Sequence, residues 1–390
     1  MNDHDKNVPR RRNSALDDGR VHSSFEALAP HTSTNEYAEL KKIIKQQGLL
    51  DKQPAYYTYK ILLTVGMLAL SLTFLLVIDN LWLQLLNAAF LAFVFTQIGF
   101  LGHDFGHRQI FSAARKNTIG SLIFTLFVGV SGELWVRTHN AHHANPNNID
   151  LDPDIDTPVI AFTQEEACRK QGIARFIVKY QAYLFFPITC LLAFSQHIRG
   201  IQFLLQKQGK HSAAEALCMA IHFVLYFGLL VYFLALWQAV LLVVIHQGLH
   251  GLYLASVFAP NHKGMPVLDK DSRLSFLRRQ VLTARNVKAH PFTDFWYGGL
   301  NYQIEHHLFP KIPRNKLGEA QTIVKAFCHA RSIPYYETGL LQSYRELLQY
   351  LHQVSAPLRE ETRRRRLRGR VDVEGQNRGD KWRRAGHHEP

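Results

Sequence analysis

Three short histidine clusters are the residues of this chain best suited to chemistry. HDFGH runs from His103 to His107, HNAHH places His139, His142 and His143, and QIEHH places Gln303, His306 and His307. Spacings of three and four residues set side chains on one helical face, where two or three imidazoles can grip a metal ion without a long loop. Imidazole is the commonest metal ligand and suits iron, zinc and copper. One such pair alone is weak evidence, because a lone histidine at a membrane edge is ordinarily a hydrogen-bonded polar side chain. Here three clusters recur, and their seven histidines exceed what one tetrahedral zinc uses. Two ions are the natural count. With no thiolate and few carboxylates alongside, a pair of iron ions that activates dioxygen is favoured over zinc.

Further residues join this set on weaker signals. His262, in FAPNHKG, is an eighth candidate ligand, since an ionisable residue at the end of an apolar run beside a metal site reads as functional. Gln303 and Asn261 are candidates for a direct or water-mediated bond to metal, and Asn261 equally for a helix cap. Asp104 and Glu305 lie inside clusters and are expected to orient ligand imidazoles. The acidic stretch Asp150, Asp152, Asp154 and Asp156 reads either as further orienting partners or as a solvated loop. His246 and His250 are spaced for one helical face but lie deeper in an apolar run, which favours interior polar packing. His197, His211, His222, His290, His329 and His352 are isolated and receive no role.

Long apolar runs must position these clusters. Of the 390 residues, 47% are hydrophobic, and they concentrate in uncharged stretches between polar ends. Ile61–Ile78 and Leu81–Gly102 are each near the ~20 residues a spanning helix needs, with Asp79 and Asn80 as the turn. Ala216–His262 is long enough for two more, if the chain turns near Leu236–Gln238. The expected fold is therefore all-α and membrane-integral, with four spans at about 61–78, 81–101, 216–235 and 238–258. Trp82 and Trp237 fall at the proposed turns, where interfacial indoles are favoured. Tyr180–Ile198 is a fifth apolar run, broken by Pro187. The clusters on either side of it must share one face of the membrane, so an even number of crossings separates them. This run is accordingly expected to be interfacial or re-entrant.

With four spans, all 45 Lys and Arg fall on one side, which the positive-inside tendency makes cytoplasmic. The net charge of +14 fits anionic lipid headgroups. No nucleic-acid module accompanies it, so nucleic acid is not an expected partner. Cys168, Cys190, Cys218 and Cys328 form no CxxC pair and suit a reducing compartment. Residues 1–60 read as a polar, partly disordered cytoplasmic segment without a signal peptide. Residues 61–334 read as the membrane domain, 335–358 as a helical segment, and 359–390 as a basic disordered tail.

HxxxH, HxxHH and QxxHH resemble the three histidine boxes of membrane fatty-acid desaturases, over roughly Ile61 to Pro334. QIEHH within GGLNYQIEHHLFP is similar to the front-end acyl desaturases and the related sphingolipid desaturases, where Gln replaces the first histidine of the third box. The resemblance implies a cytoplasmic di-iron cap on four spans, with metal ligands at His103, His107, His139, His142, His143, His262, His306 and His307. It implies an apolar acyl tunnel and insertion of a double bond into an acyl lipid or acyl-CoA with dioxygen and two electrons. Many front-end enzymes carry a fused cytochrome domain marked by HPGG, which does not occur in this sequence. Electrons are then expected from a ferredoxin or small cytochrome with its reductase, as in similar bacterial linoleoyl-CoA-desaturase-like proteins. A bacterial inner membrane is the expected location. The rival readings are a di-iron hydroxylase of acyl, sphingolipid, carotenoid or sterol substrates and, from another class, a metal transporter. Transporter sites usually lie near the bilayer midplane, whereas these clusters sit outside the spans.

Overall fold

The computed structural model describes residues 34–363. The disorder expected of Met1–Pro30 concerns residues outside that range, as does most of the tail expected to be disordered from Arg359, but its first residues, 359–363, are helical. α1 (Thr34–Gln46) is followed by α2 (Pro54–Val77) and α3 (Leu81–Gly106). α2 begins before Ile61 because Pro54 suits a first helical turn, where its missing N–H leaves no partner unsatisfied. Asn80 starts α3 by accepting the Leu83 N–H at 3.2 Å. Gln84 of α3 then reaches back to the end of α2. Its Nε2 donates to the carbonyls of Phe74 (3.1 Å) and Ile78 (2.6 Å), oxygens that the helix end would otherwise leave unpaired. One turn on, Asn87 and Ser71 bond across the same pair of helices at 2.8 Å. In apolar surroundings such polar pairs hold helices together.

α4 (Ala114–Val128) ends at Gly129, whose φ of +72° suits the left-handed cap that glycine adopts freely. The chain bends by 112° into α5 (Gly132–Ala144), which carries the second cluster. α4 was not expected from the sequence. α6 (Gln164–Arg169), α7 (Gly172–Lys179), α8 (Gln181–Thr189) and α9 (Leu192–Leu205) follow, and α8 and α9 meet at 64°. No straight helix therefore covers Tyr180–Ile198. α10 (Ser212–Phe233) and α11 (Leu236–His262) form the second long hairpin. Its turn lies at Leu234–Ala235, just before the expected Leu236–Gln238. The reason is local: Gln238 Oε1 accepts the Ala235 N–H at 3.0 Å, which draws Gln238 into the first turn of α11. Trp82 and Trp237, 74% and 59% exposed, stand at the starts of α3 and α11.

α2, α3, α10 and α11 are long and apolar enough to cross a membrane. Their apolar windows are 17%, 61%, 17% and 44% buried respectively, so α3 and α11 are the central pair and α2 and α10 flank them. Both central helices end in candidate ligands. The rest of the described chain forms a helical cap: α12 (Phe276–Leu282), α13 (Pro291–Trp296), α14 (Gln303–Leu308), α15 (Leu317–Ala330) and α16 (Leu340–Val354). Two-residue strands β1 (Asn286–Val287) and β2 (Glu337–Thr338) pair in parallel between them. Leu40, Ile44, Val281, Ile304, Leu308 and Val324 share the cap's largest apolar core, which ties α1 to α12, α14 and α15.

A reciprocal pair of carboxylates fixes α5 to the start of α10. Glu215, 2% exposed, accepts the Glu133 N–H at 2.7 Å and the Ser131 hydroxyl. Glu133 in turn accepts the backbone N–H of Lys210 (2.5 Å) and His211 (2.8 Å). Each anion thus serves the positive end of the other helix. Glu215→Ala is expected to cost about 1–3 kcal/mol, because it leaves buried donors unpaired. Glu215→Gln retains an acceptor and a donor and should recover most of that. Thermal unfolding of the detergent-solubilised protein measures both, and an unchanged midpoint in the alanine variant would refute the coupling.

Candidate metal centre

The four helix ends bring the histidines into one cage under the cap. α3 delivers His103 and, as its cap residue, His107; α5 delivers His139, His142 and His143; α11 ends on His262; α14 delivers His306 and His307. One nitrogen each from His103, His107, His139 and His306 lies within 4.8 Å of the others. His142, His262 and His307 form a second group by the same measure. His143 stands between the groups. Its ring stacks on His307 at 4.2 Å, and its Nε2 lies 3.0 Å from that of His139. All eight are buried except His139, which is half-buried.

Hydrogen bonds set which nitrogen each ring offers. His103 Nδ1 donates to Asp104 (3.2 Å), His142 Nδ1 to Asp152 (3.0 Å), His262 Nδ1 to the Thr283 carbonyl (3.0 Å) and His307 Nδ1 to Gln280 Oε1 (2.9 Å). Each of these leaves Nε2 as the bare donor. His103 and His306 then face each other Nε2 to Nε2 at 3.1 Å, and His142 and His262 at 3.3 Å. The buried His107 Nε2, His143 Nδ1, His306 Nδ1 and His307 Nε2 have no hydrogen-bond partner. Buried lone pairs facing one another without a donor are costly unless a cation joins them.

Charge agrees. Burial, reinforced by neighbouring imidazoles, holds His107, His139, His143, His306 and His307 well below the ordinary imidazole range, so they stand neutral as metal ligands must. Burial acts in the same direction on His142, but Asp154 and Asp152 outweigh it and raise its pKa. The residues fit two adjacent metal ions. His142, Asp152 and Asp154 also form a ligand-like trio, but through the Nδ1 side of His142, away from His262. Asp152 is thereby an orienting carboxylate rather than a third centre.

The other predicted residues are placed as follows. Asp104 sits between His103 and the buried Arg314, whose Nε lies 2.5 Å from its second oxygen. Gln303 Nε2 is 2.9 Å from His262 Nε2, and Asn261 Nδ2 donates to Gln303 Oε1 at 3.0 Å. Glu305 departs from the expectation that it orients an imidazole. Its carboxylate accepts from Asn286 Nδ2 (2.6 Å) and the Tyr335 hydroxyl (2.8 Å), and burial pushes its pKa up to about 7. On the short α14 it points opposite to the rings, so it locks the helix into the cap instead. His246 and His250 bond to Tyr226 (2.7 Å) and Thr96 (3.0 Å) and stay outside both groups.

Sequence reasoning missed Gln280, the Thr283 carbonyl, Arg314 and Asn147. Asn147, at φ +54°, donates to the His262 carbonyl (3.0 Å), while its own N–H is accepted by Asp152 (2.8 Å). Gln280, Thr283 and Arg314 carry no local signal, since each meets its histidine or carboxylate only across the folded cap, and Asn147 reaches the His262 carbonyl in the same way although its bond to Asp152 is local.

Such a cage, built on the ends of two helices long and apolar enough to span a bilayer and on two shorter helices, has counterparts among known proteins. The fatty acid desaturase family model matches residues 80–339. A Delta(8)-fatty-acid desaturase of Euglena gracilis is 30% identical over 351 residues, which cover 85% of this chain and 82% of the relative. A Delta(6)-fatty-acid desaturase of Caenorhabditis elegans is 31% identical over 335 residues, 82% of this chain and 74% of the relative. A Delta(8)-fatty-acid desaturase of Arabidopsis thaliana is 28% identical over 332 residues, 81% and 74% respectively. The chain belongs to the fatty acid desaturase family. It is an oxidoreductase with a histidine-rich, metal-binding centre.

Proposed function

We propose that this desaturase inserts a double bond into the acyl chain of an acyl lipid or acyl-CoA with front-end regioselectivity, using dioxygen and two electrons. The observation that carries the reading is the division of the buried imidazoles into two adjacent groups at the ends of α3 and α11. The front-end assignment draws on QIEHH and on relatives named as Delta(8) and Delta(6) desaturases. A bound pair of iron ions would supply the oxidising chemistry that removes hydrogen from two neighbouring methylenes, with both oxygen atoms leaving as water. His103, His107, His139 and His306 would hold one ion and His142, His262 and His307 the other, with His143 between them. Asp104, Asp152, Gln280 and the Thr283 carbonyl hold the Nδ1 protons and so keep Nε2 aimed inward. Gln303 is placed to contact an ion on the His262 side directly or through water, and Asn261 steadies its amide.

In this reading residues 61–334 form the membrane domain, flanked by the polar segment 1–60, the helical segment 335–358 and the basic tail 359–390. The histidines and both termini face the cytoplasm. The bacterial inner membrane rests on the motif resemblance, as the relatives named above are eukaryotic. The 390 residues contain no HPGG, no GxGxxG and no cysteine cluster for iron–sulfur ligation, and the proposed electron donor is a carrier such as a ferredoxin or small cytochrome with its reductase. Gas chromatography and mass spectrometry of lipids from a host expressing the chain test the reading. New unsaturated acyl species should appear with the wild type and be absent with His142→Ala. Hydroxylated acyl products in their place would overturn it.

A further inference from the structure

We infer that the indole of Trp135 is the positioning residue of His139 in the first group of the metal cage. This rests on the metal-holding reading above and assigns a part to a residue outside all three clusters. Trp135 precedes His139 by four residues on α5, so the two share a helical face. Their rings stack with centroids 4.4 Å apart and planes at 25°. The indole also meets the His103 ring edge-on at 5.4 Å and approaches His107 at 6.3 Å, so one ring touches or nears three members of the first group.

His139 shares with His143 and His306 the lack of a hydrogen bond at Nδ1, and it is the least buried residue of the three. His103, His142, His262 and His307 are each anchored through Nδ1 by a carboxylate, carbonyl or amide oxygen. Among the described residues none hydrogen-bonds to His139 Nδ1, and His139 is the only candidate ligand that is not fully buried. An imidazole with no hydrogen bond at Nδ1 can rotate away from an ion, and the stacked indole opposes that rotation. The fold makes room for the indole at Gly106, inside HDFGH. A Cβ there would lie 2.7 Å from Trp135 Cζ3, closer than carbon atoms approach. The glycine of the first cluster thus leaves the space that the tryptophan ahead of the second occupies.

The test follows metal release from the purified full-length chain loaded with Co2+ and challenged with a chelator, read by visible absorption and elemental analysis. In Trp135→Leu one of the two ions should leave ~10- to 100-fold faster, the range for loss of a ligand-orienting contact, while the other keeps its wild-type rate. Trp135→Phe retains a stacked ring and should restore slow release. Gly106→Ala crowds the indole at Cζ3 and should reproduce part of the loss. Equal acceleration of both ions in Trp135→Leu would mean a generally loosened cap and would overturn the inference, as would unchanged release. A wild-type chain that takes up no Co2+ would overturn the metal reading itself and this inference with it.

Discussion

His262→Ala is expected to yield a chain that still enters the membrane, makes no unsaturated product, and holds one metal ion where the proposed reading gives the wild type two. The second group has only three imidazoles, and removal of His262 leaves His142 and His307, too few for a stable site. It also strips the Gln303 amide of its partner at 2.9 Å. His306→Ala removes one of four from the other group and should lower retention of the other ion less completely. Because both ions are required to handle dioxygen in the proposed reaction, each variant loses turnover. Elemental analysis of purified protein gives the metal count, and lipid analysis of the expressing host gives the product. Retained turnover in either variant would break the assignment of the two groups, and loss of both ions in His262→Ala would show that they form one indivisible centre.

Asp104→Asn should lose activity and stability together, for two separable reasons. The carboxylate holds the His103 ring by Nδ1 and neutralises Arg314, and both partners are buried. Loss of an orienting carboxylate typically costs ~10- to 100-fold in metal affinity or activity. Loss of the anion leaves a buried guanidinium unpaired, which costs about 3–5 kcal/mol. Among the described residues Arg314 then keeps the Gly298 carbonyl at 3.3 Å, the face of Phe100 and the neighbouring Tyr56 and Tyr57, none of which is a carboxylate. The double variant Asp104→Leu with Arg314→Met removes the orphan charge and should recover stability while His103 stays unanchored. Thermal unfolding and lipid product, measured on the single and double variants, separate the two effects. Recovery of product with recovery of stability would mean that Asp104 serves the fold alone.

The spans, the clusters and the class of chemistry were legible from residue order because each depends on near neighbours. Uninterrupted apolar runs make spanning helices, and three- and four-residue spacings place imidazoles together on a helix. Element ends were less legible. α2 starts at Pro54 rather than Ile61, and the α10–α11 turn falls at Leu234–Ala235, because caps and single hydrogen bonds decide where a helix stops. α4 escaped notice because its run from Ala114 carries Arg115, Lys116 and Asn117 in its first turn.

Only the tertiary structure decided how the imidazoles divide. His142 and His143 are adjacent in sequence, as are His306 and His307, yet the ring planes of each pair stand at 78° and 88°. Consecutive residues on a helix point about 100° apart, so neighbours must serve different places. His142 and His307 join His262 while His306 joins His103, His107 and His139, pairings that require α3, α5, α11 and α14 to converge. Gln280, Thr283 and Arg314 anchor the cage from segments that no spacing rule connects to it. Residue order can set which side chains share a helix face, but the partner that faces them depends on helix crossings, which long-range packing of the cap determines.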